Sequence, residues 1–546
     1  MTTSLSSPAP SRSGSPLSPF RHRAFAVVWT AVLVSNIGIW MQNAAAGWLM
    51  TSLDPDPRIV AMVQVATALP IFLFGVPAGA LADIFDRRRL LLAMEIVITL
   101  MTAFFALLLA LDRVSPTSLL AFIFLSGIAT ALMAPAWQAI VPQLVGREDL
   151  ASGIALNSTG INISRAIGPA LAGFLIAYLG MAAPFSINVA TNLACVGALL
   201  WWRPAKEVGT DLPPERFGSA ILVGLRHARY NRPLRATLLR ATGFFLFASA
   251  YWALLPLVAR DQVAGGPGLY GLLLGAIGVG AVAGAFVLPR FKSKLGPDRV
   301  VALGSAGTAL ALLLFGLARQ PAVALAASAL AGLSWIAVVA TLNVSAQMAL
   351  PAWVRGRGLA VYVTVLFGGM ALGSLMWGEM ASLTGLPAAH YTAAALALVA
   401  IPLLRRWTLH TDAGRDLTPS MHWPEPLLSD DVGDDRGPVL ITVEYRIASG
   451  NQQAFLAAIR DVAASRKRDG AYDWHVFEDA AEKGRWLETF LVDSWLEHLR
   501  QHERVTNADR ALDEAVLRFQ TNGLPKVTHY IAGGARSLNA SPKDLP

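Results

Sequence analysis

Twelve stretches, each of about 20 mostly apolar residues, follow one another between residues 24 and 407, and only a multi-pass membrane protein accommodates such a series. The first six cover 24–50, 57–82, 88–111, 117–142, 151–179 and 182–202. The second six cover 236–259, 268–289, 299–318, 321–350, 358–383 and 387–407. Composition supports this reading. The 546 residues are 54% hydrophobic and only 15% charged, with a mean hydropathy of +0.50. The charges lie in short clusters between the apolar stretches until His410, after which the chain reads as water-soluble. Because the basic residues sit at span ends, the net charge of +8 does not suggest a nucleic-acid partner.

Lys and Arg orient the spans. One set of loops holds Arg87, Arg88, Arg89, Arg147, Arg203, Lys206, Arg216, Arg226, Arg229, Arg232, Arg235, Arg240, Arg290, Lys292, Lys294, Arg299, Arg355 and Arg357. The opposite set holds only Arg58, Arg113, Arg260 and Arg319. The positive-inside rule makes the rich side cytoplasmic, with both termini inside a bacterial inner membrane. Residues 1–19, rich in Ser and Pro without an apolar core, read as a disordered tail. The lone Cys195 lies in an apolar stretch and cannot form an intrachain disulfide.

The two halves, 20–203 and 236–409, repeat weakly in order. Span four ends in Gln138–Pro142 and span ten in Gln347–Pro351. Span five carries Ala166-Ile-Gly168-Pro169 through Gly173, and span eleven carries Ala371-Leu-Gly373-Ser374 through Gly378. Between them, 204–235 reads as a linker with an amphipathic helix whose Ile221, Leu222 and Leu225 lie amid arginines. After span two comes Gly79-Ala-Leu81-Ala-Asp83-Ile-Phe-Asp86-Arg87-Arg88-Arg89. This loop resembles the signature of the major facilitator superfamily, departing from it at Ile84 and Asp86. Trp40-Met-Gln42, Gly47-Trp48, Pro135-Ala136, Pro142, and Arg165 ahead of Gly168-Pro169 resemble its enterobactin-exporter, or transmembrane secretion effector, branch.

The resemblance implies a major facilitator fold of two six-helix halves that moves a small molecule by alternating access, coupled to protons as an antiporter. It implies a gate at Gly79, Asp83, Arg87 and Arg88, with Asp83 facing the start of span eleven, near Gly358. The span-five motif Arg165, Gly168, Pro169 and Gly173 would then shape the contact between halves. Pure helix packing explains the same glycines, and span eight offers Gly271, Gly275, Gly280 and Gly284 as the opposing stripe.

Ionisable groups within spans default to function. Arg165 would bind an anionic substrate or pair with an acid, and Glu95 would carry protons or pair with the nearby basic loop. Glu379 reads as an interfacial acid. Asn36, Gln42, Asn43, Asn157, Asn162, Tyr251, Trp252, Asn343 and Gln347 could line a cavity for an amphipathic organic substrate such as a siderophore or drug, although each alone reads more simply as contact between helices. Span four lacks an arginine that many proton-driven exporters carry.

Residues 410–437 read as a linker, 438–533 as a small α+β domain and 534–546 as a tail. Alternation and periodicity predict strands at 439–447, 472–478, 485–493 and 526–532, with helices at 452–468, 494–504 and 508–520. The order resembles ferredoxin-like, dimeric α/β-barrel domains related to antibiotic-biosynthesis monooxygenases, which implies dimerisation through this domain. His498 and His502, one turn apart, form a metal-like pair without an evident third ligand, so they read as a solvated face. Trp474, Trp486 and Trp495 read as core. No nucleophile–base pair is evident, and neither an enzyme, a cofactor nor a metal is expected. The competing readings are a nutrient importer of the same fold and a membrane-tethered monooxygenase-like enzyme.

Overall fold

The computed structural model describes residues 17–146, 148–203, 217–411, 416–420, 422–423 and 436–532. Most of the expected N-terminal tail, Arg147, Lys206, Arg216, most of the 410–437 linker and the 534–546 tail lie outside the described residues. So do the side chains of Gly79, Asp83, Ile221 and Leu222. The chain divides into two units.

The first unit comprises residues 1–214, 241–340 and 363–406. Its leading helices are α1 (Arg23–Leu53), α2 (Pro57–Ile84), α3 (Arg87–Ala110), α4 (Pro116–Leu144), α5 (Leu150–Leu179) and α6 (Ala183–Trp201). Local chemistry starts several of them. The Asp56 carboxylate accepts from Arg58 N at 2.9 Å, and that of Asp86 from Arg89 N at 2.8 Å. Ser115 and Ser118 form a reciprocal cap ahead of Pro116. Asp86, a departure from the superfamily signature, is therefore the cap of α3. Phe25, Val28, Leu91, Ile98, Met133, Ile140 and Leu199 form a core joining α1, α3, α4 and α6.

The later helices are α7 (Phe217–Tyr230), α8 (Arg232–Leu257), α9 (Pro267–Leu317), α10 (Pro321–Met348), α11 (Arg355–Thr384) and α12 (Leu386–Leu404). Among the described residues, eleven helices are long and apolar enough to cross a membrane. The eighth and ninth expected spans form one 51-residue stretch, α9. It is interrupted at Gly296, whose φ of +74° suits glycine and precedes Pro297.

The second unit comprises residues 215–240, 341–362 and 407–546. It holds α7, the first turns of α8, the segment joining α10 to α11, and a four-stranded antiparallel sheet. The strands are β1 (Val439–Arg446), β2 (Tyr472–Glu478), β3 (Arg485–Val492) and β4 (Lys526–Ile531), in the order β2-β3-β1-β4. Between them run α13 (Gln452–Arg468), α14 (Trp495–Arg504) and α15 (Asn507–Leu517). Alternate residues Val439, Ile441, Val443 and Tyr445 of β1 face Phe455 and Ile459 of α13, with Trp486, Phe490 and Trp495 completing the core. Trp474 is partly buried and donates to Glu488 at 2.8 Å.

Candidate transport path and gate residues

The span-five motif is built from close backbone approach on two faces of α5. On one face Gly160, Ser164 and Gly168 meet α1. A Cβ on Gly168 would lie 2.5 Å from the Trp40 Cβ and 2.9 Å from Ile37 O. On the other face, Pro169 and Gly173 meet α9. A Cβ on Gly173 would lie 2.7 Å from Pro267 O, and one on Gly271 equally close to Pro169 O. Gly278 packs just as tightly on Ala166. The expected span-eight stripe is thus split, with only its Gly271 and Gly275 facing α5. Gly160, Ser164 and Gly168 face α1, and Gly280 and Gly284 face Ala329 and Leu333 of α10. The 3.6-residue period places every fourth residue on one face but does not say which helix that face meets. Trp48 stacks on Tyr270 at 6.0 Å, a further contact between α1 and α9.

Arg165 lies on the Trp40 ring, its guanidinium carbon 5.2 Å from the ring centroid. Its Nε is buried without an acceptor, and no acid pairs with it among the described residues. The expected alternative, a static bridge, is absent from this set. Cation–π attraction is worth roughly 0.5–2 kcal/mol, less than the cost of an unpaired charge inside a bilayer. Asn36 and Asn43 flank Trp40 on the same helical face of α1; Asn36 is half-buried and Asn43 exposed.

Gln42 does not behave as a cavity residue. It is 6% exposed, and its Oε1 accepts from Asn188 Nδ2 at 2.7 Å and Thr102 Oγ1 at 3.3 Å. Ser35 donates to Asn192 at 3.1 Å nearby. Four helix positions that the sequence reading passed over therefore hold α1, α3 and α6 together. Their signal was available as polar residues at one-turn spacing in span six, Asn188 and Asn192. Glu95 is 3% exposed in the same half; the Cys195 thiol donates to its Oε1 at 3.6 Å. No cation pairs with Glu95 among the described residues, so it is not bridged to the basic loop. Asn162 bonds its own helix, donating to Ser158 O at 2.9 Å, and Asn157 is half-buried.

In the other half, Tyr251 is fully buried against Trp252 and Phe315, and Trp252 meets Trp335. Tyr251 therefore belongs to an aromatic core and lines no open cavity. Asn343 and Gln347 are exposed and paired with each other, Gln347 Nε2 donating at 3.0 Å. Of the gate residues, Arg88 donates to Leu199 O and Leu200 O at 2.8 and 3.0 Å, capping the end of α6. Arg87 begins α3, and Gly79 and Asp83 lie in the last two turns of α2. Glu379 is not a lone interfacial acid: Arg58 Nε meets its Oε2 at 3.0 Å, joining the start of α2 to the end of α11. An apolar groove of about 600 Å³ runs between α1 and α6, past Thr30, Val34, Ala194 and Trp201; none of the candidate residues lines it.

In the second unit His498 is 2% exposed, which corrects the solvated-face reading. Its Nε2 lies 3.3 Å from His502 Nε2, and its ring is 4.6 Å from that of His529. Strand β4 supplies the third imidazole, which spacing within one helix could not reveal. Burial and the neighbouring rings hold His498 down to about 3 and His502 to about 4. Among the described residues no group of three or more His, Cys, Asp or Glu is arranged to hold a metal ion.

Over residues 14–537 the sequence matches the transmembrane secretion effector family. The chain belongs to that family of major facilitator transporters. A staphyloferrin A transporter of Staphylococcus aureus (strain NCTC 8325 / PS 47) is 27% identical over 284 residues, covering 51% of this chain and 70% of that one. The enterobactin exporter EntS of Shigella boydii serotype 4 (strain Sb227) is 26% identical over 393 residues, covering 70% and 91% respectively. A solved POT family transporter, in complex with a thioalcohol-conjugated peptide, superposes with a TM-score of 0.59 at 14% identity over 70% of this chain and 95% of its own, a likeness of fold. Family and relatives alike are transporters rather than enzymes, so the membrane-tethered oxygenase reading falls. This is a multi-pass membrane transporter of small molecules.

Proposed function

We propose that this transporter exports an amphipathic, anionic small molecule of the siderophore class, by alternating access coupled to protons, from the cytoplasm of a bacterium. The observation that carries the reading is Arg165. It is a cation among the spans, laid on Trp40 and without an acid partner among the described residues. Such a group is costly unless something transient neutralises it, and an anionic, partly aromatic substrate does so. The two named relatives, which act on enterobactin and staphyloferrin A, support the class.

In this reading the break at Gly296-Pro297 separates two spans, making twelve in two sixes, with both termini and the basic loops cytoplasmic. Gly79, Asp83, Arg87 and Arg88 form the cytoplasmic gate, with Arg87 and Arg88 at the start of α3. Glu95, buried and met by the Cys195 thiol, is the candidate proton site. Asn36 offers a polar anchor beside Arg165. Gln42, Tyr251 and Trp252 act through packing, and Asn343 with Gln347 remains a candidate polar pair for substrate. The βαββααβ unit is of ferredoxin-like type and a candidate for dimerisation.

The test is transport of enterobactin, set against a neutral dye, into everted vesicles with and without a pH gradient. Gradient-dependent accumulation of enterobactin by the parent, lost in Asp83→Asn and Arg165→Gln, supports the reading. Accumulation that ignores the gradient removes proton coupling, and uptake in the opposite direction removes export.

A further inference from the structure

The sheet-bearing unit is tied to the transport machinery's own chain. Asn231, between α7 and α8, donates through Nδ2 to Ala349 O at 2.8 Å and to His227 Nε2 at 3.0 Å, while its Oδ1 accepts from Leu234 N and caps α8. One side chain thus fixes α7, the start of α8 and the end of α10. The segment that follows α10 carries Trp353. Its ring is met edge-on by His227 at 5.6 Å and lies under the Arg504 guanidinium of α14 at 4.6 Å. Arg226 of α7 donates to Gly470 O at 2.8 Å and approaches Asp493 at 3.8 Å; Arg232 meets Asp461 of α13 at 3.3 Å. His227, Leu350 and Val354 are fully buried and Arg504 nearly so, so the junction has a desolvated centre, with the Arg232–Asp461 pair at its exposed rim.

We propose that the C-terminal α+β unit is a clamp: docked, it holds the α10–α11 loop and α7 in one arrangement, and transport requires it to yield. Three spans, α8, α10 and α11, run out from this junction. Alternating access requires the ends of such helices to shift against one another. A side chain that ties α7 to the ends of two of them, α8 and α10, backed by a packed domain, resists that shift. Burial, with Arg468 and Arg504 adding to it, holds His227 down to about 3. The ring is then neutral at physiological pH and keeps accepting from Asn231, so pH alone does not open the junction. The inference stands apart from the identity of the substrate and the direction of its movement.

The test uses the full chain in liposomes with spin labels at Arg58→Cys and Glu379→Cys, whose parent residues pair between α2 and α11. The clamp is weakened by Arg226→Ala with Arg232→Ala. A second variant, Asp461→Lys, alters a half-exposed side chain and leaves the core untouched. Hydrogen exchange of residues 349–357 reports docking. The proposal expects faster exchange there and a longer-distance population at the labelled pair that grows roughly threefold, the scale of one or two lost exposed ion pairs. Faster exchange with an unchanged distance distribution would overturn it, because the loop would be free and the transporter indifferent. Unchanged exchange in both variants would overturn it too, since the named contacts would not be holding the loop.

Discussion

The spans and the C-terminal unit bury polar groups by different rules. In the C-terminal unit, buried charges come in partnered sets. Arg466 meets Asp513 at 3.0 Å and approaches Glu488 at 3.7 Å, and Arg468 meets both Asp469 and Asp509 at 2.7 Å. Among the spans, most buried polar groups of α1, α3 and α6 are neutral: Gln42 meets Asn188 and Thr102, and Ser35 meets Asn192, while Glu95 is an ionisable group buried against the Cys195 thiol. A folded unit in water can bury charge if it buries the counter-charge with it. A bundle in lipid uses neutral groups and leaves charge only where something else will meet it. Arg165 and Glu95 depart from both rules.

The strongest way to break this comparison is to orphan a partnered charge. Arg466→Met should destabilise the C-terminal unit by about 3–5 kcal/mol, because Asp513 and Glu488 stay behind without their cation. Loss of hydrogen-exchange protection in β1 and α13 of the full-length protein checks it. A loss below about 1 kcal/mol would mean that the set is solvated.

Next in size is acid sensitivity. His498 and His502 have folded values near 3 and 4, below the ~6.5 of an unfolded histidine. The unfolded chain therefore binds more protons between those limits, and stability falls as pH drops from about 6.5 toward 4. Asp509, held to about 2 by Arg468 against the effect of burial, contributes only below about 4, so the two windows separate. The expected loss is on the order of a few kcal/mol, and His498→Gln should flatten the slope of melting temperature against pH. A flat slope in the parent would mean that the imidazoles are hydrated.

Within the spans effects should be smaller. Gln42→Leu strands Asn188 and Thr102 and should cost about 1 kcal/mol, measured by unfolding in detergent with added denaturant. Smallest of all, Glu379→Gln breaks an exposed pair with Arg58 and should change stability by under about 1 kcal/mol.

Hydropathy made the spans legible because each must be long and apolar to cross lipid, and strand alternation did the same for β1 and β3. Hidden from the sequence was which surface each residue faces. Gly168 and Gly173 share the span-five motif but pack on α1 and α9 respectively. Gln42 read as a cavity residue because its partners, Asn188 and Thr102, lie far along the chain. His498 read as solvated because His529 comes from another strand. Arg165 was legible as an intramembrane charge; that no acid among the described residues meets it was not, because a missing partner shows only once the neighbours are placed.

The central claim is that Arg165 is kept for a ligand and not for the fold. The direct measurement is Arg165→Gln against the parent, comparing thermal stability in detergent with enterobactin efflux. The account predicts unchanged or slightly raised stability with efflux lost. Stability lost along with efflux, or efflux retained, would contradict it.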